Sequence, residues 1–161
     1  MSPDDRPVGV IISGYFSPLH VGHLDMIDAG AAYGDTLIVI VNNNAQQVMK
    51  KGKVILDEQD RLRIVNALKN VDHAFIAVDE DRTVCASIAK AAREFADHRL
   101  IFANGGDRAD GKVVPETPVC EENGIEMVFD LGGNEKADSS SRINVALGLE
   151  DAPSAPPSET T

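Results

Sequence analysis

The sequence predicts an α/β domain built on one doubly wound parallel sheet of five strands. Three observations carry this. Five short runs are apolar and rich in Val, Ile and Leu, such as "VGVII" and "TLIVIV". Each run is continuous rather than alternating, as expected for strands buried on both faces. Between the runs lie stretches with apolar residues at helical spacing, so strand and helix alternate along the whole chain.

Each element follows in order from its own residues. Residues 8–13 form a β-branched strand. Residues 21–33 place Val21, Leu24, Ile27 and Ala31 at helical spacing, and Gly34 stops the helix. Residues 36–42 are a second buried strand. Residues 43–53 are polar and carry Lys50, Lys51 and Lys53, which reads as a loop. Residues 57–70 form a helix whose Asp57 and Glu58 suit the positive end of its dipole. Residues 73–78 are a third strand, 83–96 an alanine-rich helix and 99–104 a fourth strand that runs into "NGGDR". A short helix spans 117–123, closed by Gly124, and a fifth strand spans 125–131. "GGNEKAD" is a loop, and a last helix covers 139–147. The domain therefore occupies 8–149, after an extension over 1–7. The Pro- and Ser-rich tail, 150–161, has the composition of disordered chain.

Right-handed crossovers wind such a sheet both ways. Ligands then bind beyond the carboxyl ends of the strands, where the winding reverses. The segments at those ends are "GYFSPLH", "NNNAQQVMKKGK", "NGGDR" and "GGNEKADSSSR".

Composition narrows the partners. The formal charge is −11 over 161 residues, which repels nucleic acid and anionic membranes. An anionic substrate must therefore meet a locally basic site. Two cysteines in unrelated contexts give neither a disulfide framework nor a zinc finger, and a cytoplasmic setting is expected. No apolar run approaches the length of a membrane span, and "MSPDDRPVG" lacks the features of a signal peptide.

"GYFSPLHVGHLDMI" sets His20 and His23 where the first strand gives way to a helix. Gly14 permits a tight turn and close approach of a ligand to the backbone. Both imidazoles fall at a helix start, where free N–H groups attract anions. Gly22 between them leaves room for a bulky ligand. Zinc is a poor reading, since a third ligand at metal spacing is missing. A plain structural reading is also open, in which the pair caps and packs the helix.

These residues resemble the G-x-F-[DS]-x-x-H-x-G-H signature of the nucleotidyltransferase superfamily, in particular its cytidylyltransferase-like branch of the glycerol-3-phosphate cytidylyltransferase type. Gly14, Phe16, His20, Gly22 and His23 match it. "DSSSRI" resembles the second motif of that family through Ser139, Ser140, Ser141 and Ile143. The resemblance runs from about residue 8 to about residue 147 and implies a Rossmann-like fold.

It also implies a reaction. An oxygen of a phosphate or phosphonate acceptor attacks the α-phosphorus of CTP or ATP, and pyrophosphate leaves. A phosphate monoester has its second pKa at about 6 and needs no general base near neutral pH. Positioning and charge stabilisation then suffice.

By match, His20 and His23 hold the phosphates in the transition state. Lys50, Lys51 and Lys53 are candidates for the triphosphate, with Lys51 or Lys53 favoured as catalytic. Gly14, Tyr15, Phe16 and Gly22 border the nucleotide. Arg61 resembles the E-x-R segment that closes over the site, against the alternative of a surface arginine paired with Asp57. Gly106 and Asp107 of "NGGDR" face nucleotide or acceptor, and Arg108 is placed to hold the acceptor's phosphate. Ser139, Ser140 and Ser141 offer hydroxyl and N–H groups to the β- and γ-phosphates, and Arg142 adds a charge for the substrate. The chain departs from the family in Tyr15 for the usual Thr, in Ser17 for the common Asp, and in "GNEKAD" for R-T-E-G.

The expectations are therefore a cytidylyltransferase using CTP with Mg²⁺, acting on a phosphorylated alcohol, sugar or phosphonate as a homodimer, with no protein-held metal. The alternatives are an adenylyltransferase of heptose-phosphate, pantetheine-phosphate or flavin type, and a nucleotide-binding module without catalysis.

Overall fold

The computed structural model describes residues 5–103, 114–128 and 146–147. Five strands form one parallel sheet: β1 (Val8–Gly14), β2 (Thr36–Val41), β3 (His73–Ile76), β4 (Arg99–Ala103) and β5 (Glu126–Val128). Their order is β3-β2-β1-β4-β5. The chain steps outward from β1 to β3, returns to lay β4 beside β1, and steps outward again to β5. The winding reverses between β1 and β4, so their carboxyl ends open the crevice in which ligands of such sheets sit. The fold is the doubly wound, Rossmann-like α/β architecture expected from the sequence.

The continuous apolar runs are explained by burial on both faces. Ile38 and Ile40 of β2 enter one core layer with Ile11, Phe102, Ile88 and Cys120. Leu37, Val39 and Val41 enter the opposite layer with Val10, Ile12, Ile27 and Val65. Helices α4 (Cys85–Glu94) and α5 (Thr117–Glu122) supply the first layer; α1 (Val21–Tyr33) and α3 (Glu58–Asn66) supply the second. Among the described residues no helix is long and apolar enough to cross a membrane.

Two differences from expectation have a clear local cause, beside the shorter α4 (Cys85–Glu94 for 83–96) and β3 (His73–Ile76 for 73–78). The polar stretch read as a loop folds as helix α2 (Asn44–Lys51). Asn43 and Gln46 cap it reciprocally, and Gly52 ends it at φ 81, a left-handed backbone that glycine adopts without strain. Helix α3 stops at Asn66 rather than residue 70, because the Ala67 N–H tightens onto Arg63 and Ile64 carbonyls and the chain then turns into β3. The expected loop and final helix beyond β5 lie outside the described residues, save 146–147, as does the tail.

Candidate active site

The site is built where β1 ends. Phe16 turns the chain with a positive φ of 52 and buries its ring, which is 1% exposed. Left-handed backbone costs a non-glycine residue about 1–2 kcal/mol, and full burial of the ring returns about 1.5–3 kcal/mol. The ring comes to rest over Gly14. A Cβ there would stand 2.9 Å from Phe16 Cζ. Gly14 is thus small to admit a ring, a packing reason for glycine beside the expected one of ligand approach. Phe16 likewise supports the site from beneath, since its ring meets the edge of His23 at 4.9 Å.

His20 and His23 start α1 together. Nδ1 of His20 accepts the Gly22 N–H at 3.0 Å, and Nδ1 of His23 accepts the His20 N–H at 3.2 Å. The pair does cap the helix. An accepting nitrogen carries no proton, so each neutral ring holds its proton on Nε2. The rings stack at 3.9 Å, tilted by 30°. Burial, then the His20 charge, then Lys50, lower the pKa of His23 to about 4. His23 is therefore neutral at ordinary pH and offers a fixed N–H donor.

Lys50 reaches this place. Its ammonium lies 4.4 Å from the centre of the Tyr15 ring. Lys51 ends α2 and Lys53 follows the Gly52 turn, exposed. The structure places Lys50 beside Tyr15, and Lys51 and Lys53 stay candidates for the triphosphate.

Arg61 is 0% exposed, which excludes the reading of it as a surface residue. Its guanidinium donates to Leu56 O at 2.8 Å, Tyr15 O at 3.0 Å, Asn44 Oδ1 at 3.1 Å, and Asn42 O. Those carbonyls belong to the chain leaving β1, leaving β2 and entering α3. Arg61 is a strut that ties them, and a planar five-donor fork is the side chain able to do so. Asp57 instead caps α3 through the Gln59 N–H at 2.9 Å and accepts Asn44 Nδ2 at 3.0 Å.

Sequence reasoning missed Gln46 and Gln47, both 0% exposed. Gln46 Oε1 accepts from Asn42 Nδ2 and the Asn43 N–H, and its Nε2 donates to Asp81 O and Thr83 O, each at 2.8 Å. Both amide hydrogens and both oxygen lone pairs are used. Gln47 Oε1 accepts the buried Ser17 hydroxyl at 2.8 Å and the Ile55 N–H at 3.0 Å. The usable signal was Asn43 followed three residues later by Gln46, a capping-box spacing.

The local electrostatics oppose the net charge. Burial raises the Tyr15 hydroxyl's pKa, while Arg82 and then Arg61 pull it down. Gly106, Asp107, Arg108, Ser139, Ser140, Ser141 and Arg142 lie outside the described residues. Among the described residues no group of three His, Cys, Asp or Glu is placed to hold a metal ion. The donors assembled here are N–H groups and an ammonium, suited to phosphate oxygens rather than to Mg²⁺, which takes oxygen ligands.

The chain has relatives among known proteins. The FAD synthase of Archaeoglobus profundus is 39% identical over 74 residues, covering 46% of this chain and 47% of that protein. The bifunctional protein HldE of Koribacter versatilis is 30% identical over 129 residues, covering 79% of this chain and 23% of that protein. The chain thus spans about half or less of the length of these relatives. A solved structure of the lipopolysaccharide core biosynthesis protein from Thermoplasma volcanium superposes with a TM-score of 0.59 at 25% identity, over 82% of this chain and 99% of that one. The family model described as cytidylyltransferase-like matches residues 11–111, a span that contains both histidines, α2 and Arg61. The chain belongs to the cytidylyltransferase-like family of nucleotidyltransferases.

Proposed function

We propose that the chain transfers an adenylyl group from ATP to a phosphate oxygen of a small phosphorylated acceptor, with release of pyrophosphate. One observation carries the transfer chemistry. Two stacked imidazoles, each held by a backbone N–H on Nδ1, carry Nε2 protons at the switch point of the sheet. The acceptor oxygen forms a bond to the α-phosphorus as the bond to the β-phosphate bridging oxygen breaks. The electron pair leaves with pyrophosphate. Negative charge on the α-phosphoryl oxygens is met by donors already fixed in place, which avoids reorganisation during the step. Lys50 adds a cation beside them. Mg²⁺ would arrive on the triphosphate, neutralising its charge through phosphate oxygens and water.

The choice of ATP rests on the relatives: FAD joins a flavin phosphate to an adenylyl group, and the FAD synthase match is 39% identical. A second reading is CTP, favoured by the cytidylyltransferase-like description of the family. A homodimer belongs to the same proposal by family resemblance, and sedimentation checks it. The deciding experiment is pyrophosphate release with Mg²⁺, from ATP and from CTP separately, against phosphorylated flavin, sugars and polyols and against phosphonates. Release with ATP and one acceptor supports the first reading. Release with CTP alone moves the chain to the second. Binding of either nucleotide with no turnover on any acceptor would make it a nucleotide-binding module.

A further inference from the structure

We infer that Arg82, together with Lys50, forms an anion subsite over Tyr15 that takes phosphate oxygens of a substrate. The inference deepens the proposed transfer reaction and rests on it. Arg82 follows β3, in the loop "DEDRT", which none of the family motifs described above includes.

The loop is held from below. Gln46 Nε2 donates to Asp81 O and to Thr83 O, the carbonyls on either side of Arg82. Asn43 Nδ2 donates to Ala77 O and Asp79 O earlier in the same loop. The Gln46 carbonyl in turn accepts the Tyr15 hydroxyl at 3.5 Å. One buried residue therefore links Tyr15 to the backbone that carries Arg82. Lys50 reaches the same ring from the end of α2. Lys50 lies over the Tyr15 ring, and the turn that carries Arg82 is tied to the Tyr15 hydroxyl through the same Gln46.

Of the three acids before Arg82, Glu80 is exposed, and the other two are occupied elsewhere. Asp79 accepts from the Ala86 and Ser87 N–H groups at the start of α4 and from the Ser87 hydroxyl. Asp81 accepts from the Thr83 N–H at 2.9 Å and the Thr83 hydroxyl at 2.6 Å. Arg82 makes no ion pair among the described residues. Its charge acts on the Tyr15 hydroxyl more strongly than that of Arg61. A guanidinium on a fixed turn, in a chain of charge −11, is placed to bind phosphate with its paired N–H donors.

Two phosphates fit this chemistry: the leaving pyrophosphate and the acceptor's monoester. Calorimetry with inorganic pyrophosphate, ATP and CTP would be run on the wild-type chain, Arg82→Gln and Lys50→Met, beside steady-state kinetics. Circular dichroism and melting confirm that the variants fold. Loss of a charge-assisted pair predicts about tenfold weaker binding or more. A fall in pyrophosphate affinity in both variants assigns the subsite to the leaving group. An unchanged pyrophosphate affinity with a raised KM for the acceptor assigns it to the acceptor. Wild-type values for Arg82→Gln in every binding constant and KM would overturn the subsite and leave the transfer reaction standing. A wild-type chain that binds none of the three ligands and turns over nothing would overturn the reaction itself.

Discussion

Replacing His23 by Gln removes a titrating group and keeps the helix start, because Gln at that position of a capping box also reaches back to the cap N–H. The structure sets the size of the effect. The pKa of His23 falls from 6.5 to about 4 on folding, chiefly through burial. Above about pH 6.5 the ring is neutral in both states and folding carries no penalty. As the pH falls from there, the unfolded chain takes up a proton that the folded chain refuses, so stability drops. The full loss, reached below about pH 4, is about 3 kcal/mol. At about pH 5 it is already about 2 kcal/mol by the same linkage. Asp57, Asp81 and Asp97 have carboxyls pulled below their ordinary value of 3.8, so their contribution falls mostly below this window. Urea unfolding of both proteins at about pH 7 and about pH 5 measures the difference. The wild type should lose about 2 kcal/mol more than His23→Gln between the two. Equal losses would refute the buried, neutral imidazole and the fixed donor that follows from it.

Other perturbations separate the roles of neighbouring residues. His20→Asn keeps a strong cap but no imidazole; melting should stay within about 1 kcal/mol while turnover falls about 10²–10³-fold. Gly14→Ala pushes a methyl against Phe16 Cζ, and should cost about 1–3 kcal/mol in urea unfolding and shift the ring beneath His23. Arg61→Met strands the carbonyls of Tyr15, Asn42 and Leu56, and a loss of about 3–5 kcal/mol is expected by calorimetric melting.

The outline of the fold was legible because the sheet is apolar on both faces. Helix α1 falls on the residues its spacing indicates, Val21–Tyr33. Helix α2 was not legible for a definite reason. Its inward positions are Gln46 and Gln47, buried by hydrogen bonds rather than by apolar contact, so a search for apolar periodicity passes over it. The histidine pair could be read as a candidate site from its position together with the motif around it, but which nitrogen carries the proton needed the backbone. Arg61 resisted reading because an arginine in a charged helix looks solvated; its burial depends on three carbonyls brought together only by the fold. The three lysines could not be told apart in the sequence because α2, which carries Lys50 and Lys51 and stops before Lys53, has no apolar periodicity.

The doubled use of His20 has a consequence for engineering. Asparagine, serine and aspartate start helices better than histidine does, and they leave no large ring stacked against a second one. Any procedure that ranks substitutions here by folding alone will favour those residues. Under the proposed function such a protein would keep its fold and lose turnover about 10²–10³-fold, as given above for asparagine, the cost of one lost donor. Position 20 is thus a place where thermal robustness and turnover are set against each other, and stabilising libraries of this chain should hold it fixed.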